Sequence, residues 1–233
     1  MDRGPVADIP TSEEAVTTDR VQLVGIVAIP PNPRGVVLFA HGSGSSRFSP
    51  RNQFVARQLQ RSGFSTCLFD LLTQREQVVD EQTRALRFDL ELLTRRLVGL
   101  VDWIAQDPRI GGLPLGLFGA STGAAGALGA AALRPELVKC VVSRGGRPDL
   151  AAIYLARVHA ATLLLVGGLD GPVIEMNRTA LAQLPGPKKE LQIIPGATHL
   201  FEESGRLEMV TEAAATFFRN NLEAPGDEVR LAT

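Results

Sequence analysis

The sequence has few cysteines, no excess of charge of either sign and no long hydrophobic run. Two cysteines in 233 residues are too few for a disulfide framework. The 24 basic and 25 acidic residues nearly cancel, whereas nucleic acids and anionic membranes select a strong excess of Lys and Arg. No stretch of about 20 continuous apolar residues occurs, so no membrane span is predicted. The N-terminal residues do not combine basic residues with a following apolar run, so no secretory signal is predicted either. We therefore expect a cytoplasmic protein without a nucleic-acid or membrane partner.

Length and composition predict one domain with a tail at each end. A chain of this size can bury a full hydrophobic core. Residues 1–19 and 223–233 are polar, charged or proline-bearing, and we interpret them as N-terminal and C-terminal tails. Because no low-complexity linker, charge block or repeat lies between them, residues 20–222 are predicted to form a single domain.

Short apolar runs rich in β-branched residues alternate with helical patterns along this domain. Strands are predicted over Val21–Ile29, Val36–Ala40, Thr66–Asp70, Leu115–Gly119, Lys139–Ser143, Thr162–Gly167 and Leu191–Ile194. Helices are predicted over Asn52–Arg61, Arg84–Gln106, Thr122–Leu133, Leu150–Arg157, Val173–Leu184 and Leu207–Asn221. Near-continuous apolar strands separated by helices predict an α/β fold with a mostly parallel sheet and helices on both faces.

In such open sheets the ligand site lies outside the carboxyl ends of the strands. One candidate there is Ser121, in the sequence Gly119-Ala120-Ser121-Thr122-Gly123, which matches the G-x-S-x-G pattern. The match follows a predicted strand and begins a predicted helix, as a nucleophile elbow requires. The alternative is a turn of small residues that lets the helix pack closely on the sheet. The context favours Ser121 as a nucleophile.

A serine nucleophile needs a base, which in turn needs a carboxylate to orient it. Of the three histidines, His199 follows the last strand, whereas His41 precedes the serine and His159 precedes a strand. His199 is therefore the predicted base. For the acid, Asp170 at the end of the sixth strand is preferred to Asp149. A role for Asp170 in capping the helix ahead of Pro172 remains an alternative.

An oxyanion hole completes this chemistry, and we expect its donors to be backbone N–H groups rather than side chains. One donor is predicted at Thr122, the residue after the nucleophile, and the other at Ser43, with Gly44 as the alternative. Ser43 lies in the glycine-rich sequence HGSGSSRFSPRN. A phosphate-binding loop is the competing interpretation, but neither a Walker lysine nor G-x-G-x-x-G is present.

Seven segments in this order resemble the dienelactone hydrolase family of α/β-hydrolases. They are HGSGSSRFSPRN, FDLLTQRE, LRFDLELL, GASTG, VVSRGGRPDL, GGLDGPV and GATHLFEE. The resemblance covers about residues 20–222 and is greatest to hydrolase domains that some proteins fuse to a phosphoribosyltransferase. It implies hydrolysis of a small-molecule ester or lactone through Ser121, Asp170 and His199, with no metal or other cofactor. Dienelactone hydrolase itself uses a cysteine nucleophile, and here Cys67 and Cys140 lie on other strands.

Four further residues are candidates for substrate contact. Arg47 and Arg144 could bind a substrate carboxylate, since a guanidinium grips a carboxylate bidentately. The alternative for both is an internal ion pair that braces loops at the edge of the sheet. Leu169 and Leu200 flank the predicted site and could contact an acyl group. Between Ser143 and Thr162 there is room for one short helix only, so we expect an open cleft without a lid.

Two other functions use the same residues or the same fold. An acyltransferase or a peptidase would work through the same triad, and a ligand-binding protein would retain the fold without turnover. The predicted triad in the right chain order favours an ester hydrolase, whose activity should fall as acidification protonates the imidazole base.

Overall fold

An eight-stranded sheet forms the centre of the fold in the computed structural model, which describes residues 9–186 and 188–222. The strands are β1 (Thr11–Thr18), β2 (Val21–Ala28), β3 (Gly35–Ala40), β4 (Phe64–Phe69), β5 (Leu115–Ala120), β6 (Val138–Arg144), β7 (Ala161–Gly167) and β8 (Lys189–Ile194). Their spatial order is β1-β2-β4-β3-β5-β6-β7-β8. β2 pairs antiparallel with β1 and β4, and every other pairing is parallel. The predicted α/β fold is confirmed.

Helices cover both faces of the sheet. They are α1 (Pro50–Arg61), α2 (Gln74–Thr83), α3 (Leu90–Gln106), α4 (Thr122–Leu133), α5 (Ala152–Leu155), α6 (Gly171–Gln183) and α7 (Arg206–Asn221). The buried sides of α1 and α7 form one apolar layer with the sheet, and those of α3, α4, α5 and α6 form the other. All residues of β3, β4 and β5 are buried because both of their faces are covered.

The second half of the predicted N-terminal tail is a strand, which corrects the prediction for residues 1–19. All eight residues of β1 pair with β2. Only Val16 in this strand is buried, so its sequence TSEEAVTT lacks the apolar pattern that revealed the other strands. The predicted C-terminal tail, residues 223–233, lies outside the described residues.

Helix α2 was not predicted, and the helix predicted to begin at Arg84 begins at Leu90. The one buried residue of α2 is Asp80, so this helix has no apolar stripe to recognise. Its signal is the capping box at its start: the Glu76 N–H donates to Thr73 Oγ1 at 3.2 Å, and the Thr73 N–H donates to Glu76 Oε2 at 2.7 Å. Arg84, with φ of 57°, ends the helix in the left-handed conformation.

The segment between β6 and β7 contains only a 3₁₀ turn (Pro148–Ala151) and α5, shorter than the predicted helix over Leu150–Arg157. Across residues 9–186 and 188–222 no lid domain is inserted, as predicted. In the same part of the chain, no helix has the length and apolar character needed to span a bilayer.

Candidate active site

Ser121 lies at the sharp turn from β5 into α4. Its backbone has φ 51° and ψ −122°, a conformation that costs a non-glycine residue free energy. The turn is held by backbone hydrogen bonds: the Ser121 N–H donates to the Arg144 carbonyl at 3.1 Å, and the Ser121 carbonyl accepts from the Ala124 and Arg147 N–H groups, each at 3.1 Å. The Ser121 hydroxyl is therefore displayed at the carboxyl edge of the sheet on a rigid, strained turn.

The turn is possible because the helix approaches the neighbouring loop closely at Gly123. A Cβ atom on Gly123 would lie 2.2 Å from the carbonyl oxygen of Ala40 and 2.5 Å from that of His41. No real Cβ tolerates such distances, so this position of the G-x-S-x-G sequence requires glycine.

His199 and Asp170 form a hydrogen-bonded pair after β8 and β7. His199 Nδ1–H donates to Asp170 Oδ2 at 2.7 Å, which leaves Nε2 without the proton and able to accept one. Asp170 is the residue before α6, yet its side chain makes no capping hydrogen bond to that helix. The carboxylate orients the imidazole instead of capping the helix.

Backbone contacts hold the two loops that carry this pair. The Leu169 N–H donates to the Ala197 carbonyl at 2.9 Å, which ties the acid loop to the histidine loop. Phe201 is 1% exposed and adopts φ of 56°, so its buried ring fixes the chain just after His199.

The imidazole lies next to the backbone that supports the elbow. A Cβ atom on Gly145 would lie 3.5 Å from His199 Cε1, and Gly145 directly follows Arg144, whose carbonyl accepts from the Ser121 N–H. The structure thus brings Ser121, His199 and Asp170, each from a different strand end, to one region of the sheet edge.

The alternative base and acid have other partners. The His41 side chain is half-buried, its Nδ1–H donates to the Gly42 carbonyl at 3.0 Å, and its Nε2 accepts from the Leu71 N–H at 3.1 Å. Burial lowers the pKa of His41, so the ring is a neutral brace within its loop. Asp149 accepts hydrogen bonds from the Arg147 guanidinium at 2.7 and 2.8 Å rather than from His199.

The predicted oxyanion donors lie together, but not all of them are free. The Thr122 and Gly44 N–H groups donate to no described residue. The Ser43 N–H donates to the Thr122 side chain, with 2.9 Å between N and Oγ1. The sequence predicted these residues but not the contact between Ser43 and Thr122, because the glycine-rich motif does not specify where the Thr122 side chain points.

The two candidate arginines differ in their surroundings. Arg47 donates from its guanidinium to Asp70 and, at 3.3 Å, to Glu13, so the bracing alternative describes Arg47. Arg144 is 8% exposed, and its guanidinium donates to no described residue. Burial, together with the nearby charge of Arg51, lowers the pKa of Arg144 to about 10. A buried cation without a carboxylate partner is costly, and it favours binding of an anion.

A cavity of about 450 Å³ lies beside the loop after β3. Its walls include Ser43, Thr122, Phe48, Asp80, Glu81 and Arg87. The last three come from the segment around α2 that the sequence did not reveal, where Arg87 Nε donates to Asp80 Oδ2 at 2.6 Å. Outside this cavity, Leu169 and Leu200 are 67% and 41% exposed, next to Asp170 and His199.

Neither cysteine can replace Ser121. Cys67 on β4 and Cys140 on β6 are buried as free thiols, and burial raises the pKa of each well above its usual value. Among the residues that the structure describes, no group of His, Cys, Asp and Glu side chains is arranged to hold a metal ion.

Comparison with known proteins shows the family. The model of the dienelactone hydrolase family matches residues 23–224. A crystal structure of dienelactone hydrolase from Anabaena variabilis is 53% identical, covers 92% of this chain and 99% of its own, and superposes with a TM-score of 0.90. Est1E from Butyrivibrio proteoclasticus shares the fold at 16% identity, with a TM-score of 0.74 and coverage of 89% of this chain and 98% of its own.

A longer relative has a similar sequence identity to this chain. A Mycobacterium tuberculosis protein provisionally named a phosphoribosyl transferase is 51% identical over 222 residues, which are 94% of this chain and 49% of the relative. The chain thus spans about half the length of the curated relatives it matches. The family model and the Anabaena structure show that this chain belongs to the dienelactone hydrolase family.

Proposed function

We propose that this chain is a serine hydrolase that cleaves a small-molecule carboxylic ester or lactone. The observation that carries the proposal is the 2.7 Å hydrogen bond from His199 to Asp170, beside a serine on a strained turn. This arrangement supplies a nucleophile, a base with a free Nε2 and a carboxylate that selects the required tautomer. Membership of the dienelactone hydrolase family supports the same class of reaction.

In the first half of the reaction, the Ser121 hydroxyl attacks the ester carbonyl carbon and His199 Nε2 takes the hydroxyl proton. The tetrahedral intermediate then collapses, the alcohol oxygen takes that proton from the imidazolium, and an acyl-enzyme remains on Ser121. Asp170 stays ionised and stabilises the imidazolium while it exists. A lactone follows the same path, except that its alcohol remains attached to the acyl group.

In the second half, water attacks the acyl-enzyme. His199 takes a proton from the water as the water oxygen attacks the acyl carbon. The second tetrahedral intermediate then collapses to the carboxylic acid, and the imidazolium returns the proton to the departing Ser121 oxygen. The N–H groups of Thr122 and Gly44, which donate to no described residue, stabilise the negative oxygen in both halves. The cavity beside this loop is lined by Ser43, Gly44 and Thr122. It has room for the part of the substrate that lies next to the oxyanion hole.

Substrates with a carboxylate fit the charge of this region. Arg144 is at the end of the strand next to the elbow and has no carboxylate partner among the described residues, whereas Arg47 is paired with Asp70. We therefore assign the recognition of a substrate carboxylate to Arg144 rather than to Arg47. Exposed Leu169 and Leu200 are assigned to contact with an apolar part of the same substrate.

The assignment of Arg144 is tested with a neutral and an anionic ester of similar size, p-nitrophenyl butyrate and p-nitrophenyl hemisuccinate. Loss of a charged hydrogen-bond donor should lower kcat/KM of Arg144→Met for the hemisuccinate by about tenfold or more. The value for the butyrate should change far less. An equal fall for both esters would contradict recognition of the carboxylate.

The function itself is tested by Ser121→Ala with a p-nitrophenyl ester. Removing the nucleophile should lower kcat by about 10⁴-fold or more. Ser143→Ala is the matched control, since Ser143 is a buried serine on the neighbouring strand whose hydroxyl has no partner among the described residues. Turnover retained by Ser121→Ala, with a folded protein, would overturn the proposal.

A further inference from the structure

The side chain of Thr122 lies between the elbow and the loop after β3. Its Oγ1 accepts a hydrogen bond from the Ser43 N–H at 2.9 Å. The loop passes close to the nucleophile here, since a Cβ atom on Gly42 would lie 3.1 Å from Ser121 Cβ. Thr122 is 4% exposed and is part of the cavity wall. The Thr122 hydroxyl is therefore held at the inner wall of the cleft, beside the nucleophile.

A threonine hydroxyl has one proton to donate and two lone pairs that accept. The Ser43 N–H occupies one lone pair, and the hydroxyl donates to no described residue. Threonine inside a helix commonly donates to the carbonyl four residues earlier, but Thr122 is the first residue of α4 and makes no such bond. Its proton is thus available to a group in the cavity.

The hydrogen bond from Ser43 makes this hydroxyl a better donor. A group that accepts one hydrogen bond while donating another is polarised, and the second bond is strengthened by about 10–30%. The bond also fixes the position of Oγ1 before the substrate binds, so no free energy is needed to orient it during the reaction.

We propose that the Thr122 hydroxyl is a side-chain donor of the oxyanion hole. It donates its hydrogen bond to the negative oxygen of the tetrahedral intermediate, together with the N–H of the same residue. The Ser43 N–H acts through the hydroxyl and is in this respect a positioning group. The inference rests on the proposed serine hydrolase function, and it replaces the expected backbone-only oxyanion hole with a mixed one.

The test compares Thr122→Val, which keeps the shape and removes the hydroxyl, with Thr122→Ser, which keeps the hydroxyl. Loss of one oxyanion donor should lower kcat of Thr122→Val on p-nitrophenyl acetate by about 10²-fold. KM should change by less than about threefold, because the hydrogen bond strengthens only as charge develops. Thr122→Ser should recover most of the lost kcat.

A second readout uses a fluorophosphonate probe, whose phosphoryl oxygen occupies the oxyanion position when Ser121 is phosphonylated. The second-order rate of labelling should fall in Thr122→Val by a factor similar to that for kcat. Thr94→Val is the matched control, because Thr94 is buried on α3 and its hydroxyl has no partner among the described residues. This control should label at the wild-type rate.

Two results would overturn the inference. One is a kcat for folded Thr122→Val within about threefold of wild type. The other is an equal loss in Thr122→Val and Thr122→Ser, which would indicate packing rather than a hydroxyl. If Thr122→Val does not fold, Thr122→Ala is compared with Thr122→Ser in the same way. Failure of the wild-type protein to label would defeat the proposed function, whereas a labelled wild type with an unaffected Thr122→Val would defeat only this inference.

Discussion

At the scale of single residues, the backbone at the elbow leaves no room for a side chain on Gly123. An added Cβ would meet the carbonyl oxygens of Ala40 and His41, which are backbone atoms and cannot rotate away. We expect Gly123→Ala to lower the free energy of unfolding by about 3 kcal/mol and to abolish esterase activity. Chemical denaturation and ester assays measure both effects.

Gly112→Ala is the matched control for this prediction. No atom of the described residues lies within 4 Å of a Cβ built on Gly112. The free energy of unfolding of Gly112→Ala should therefore stay within about 0.5 kcal/mol of wild type. Equal stability of the two variants would show that β5 and α4 do not approach the loop after β3 as closely as described.

Arg144 allows a second prediction, which concerns stability rather than activity. Its guanidinium is buried and has no ion pair among the described residues, and such a charge is costly to desolvate. In the absence of substrate, Arg144→Met should therefore have the same Tm as wild type or a higher one. A marked fall in Tm would mean that Arg144 has a structural partner.

The catalytic candidates could be predicted from the sequence because few residues compete for each role. Only three histidines occur, and His199 alone follows the last strand. The contact between Ser43 and Thr122 could not be predicted, because it depends on the conformation of a loop and on one side-chain rotamer.

At the scale of elements, buried Arg96 joins three parts of the structure. From α3 its guanidinium donates to Glu76 on α2 at 2.7 Å and to Asp19, between β1 and β2, at 3.1 Å. Truncation leaves two partly buried carboxylates without this partner, although Asp19 keeps Arg95 and Glu76 keeps Thr73. Arg96→Met should therefore lower the free energy of unfolding by about 1–3 kcal/mol. Denaturant unfolding measures the loss.

The neighbouring residue on the same helix is the control for Arg96. Arg95 also contacts Asp19 and pairs with Glu91, but it is largely exposed to solvent, where ion pairs contribute little. Arg95→Met should have a much smaller effect than Arg96→Met. Similar losses in both variants would contradict the assignment of the network to Arg96.

The same network predicts how stability depends on pH. Burial alone would raise the pKa values of Glu76 and Asp19. The hydrogen bonds from Arg96, together with those from Thr73 to Glu76 and with the charge and hydrogen bond of Arg95 beside Asp19, outweigh burial and hold both pKa values below their usual values of 4.5 and 3.8. Since the folded pKa values are lowered, the stabilisation is present above these values and is lost as the pH falls through the folded ones.

We expect the free energy of unfolding to fall on acidification below pH 4.5, the usual value for Glu76. Arg96→Met should show a shallower dependence over the same range, because the two carboxylates then lack the guanidinium that lowers their pKa values. Denaturation at a series of pH values tests this, and an unchanged slope in Arg96→Met would contradict it.

Most of the elements that the sequence predicted have a buried apolar face. β2 to β8 and α1, α4, α6 and α7 were predicted with differences of a few residues at their ends. β1 and α2, in which only Val16 and Asp80 are buried, were missed because their sequences TSEEAVTT and QREQVVDEQT show neither a strand-like apolar run nor an apolar helical stripe. Such elements are defined by strand pairing and by capping rather than by periodicity.

At the scale of the whole molecule, the sheet order explains how residues far apart in sequence meet. Ser121, Asp170 and His199 follow β5, β7 and β8, which are parallel and therefore end at the same edge. A pattern of alternating strands and helices predicts that edge, but the pairing of His199 with Asp170 rather than with Asp149 depends on loop conformations that only coordinates give.

The most direct test of the central claim is mass spectrometry after treatment with a fluorophosphonate probe. If Ser121 is the activated nucleophile, its oxygen displaces fluoride, the protein gains a single adduct, and the adduct maps to the peptide that contains Ser121. Ser121→Ala should remain unlabelled, and His199→Ala should label far more slowly than wild type. An unlabelled wild type, or an adduct that persists in Ser121→Ala, would contradict the account.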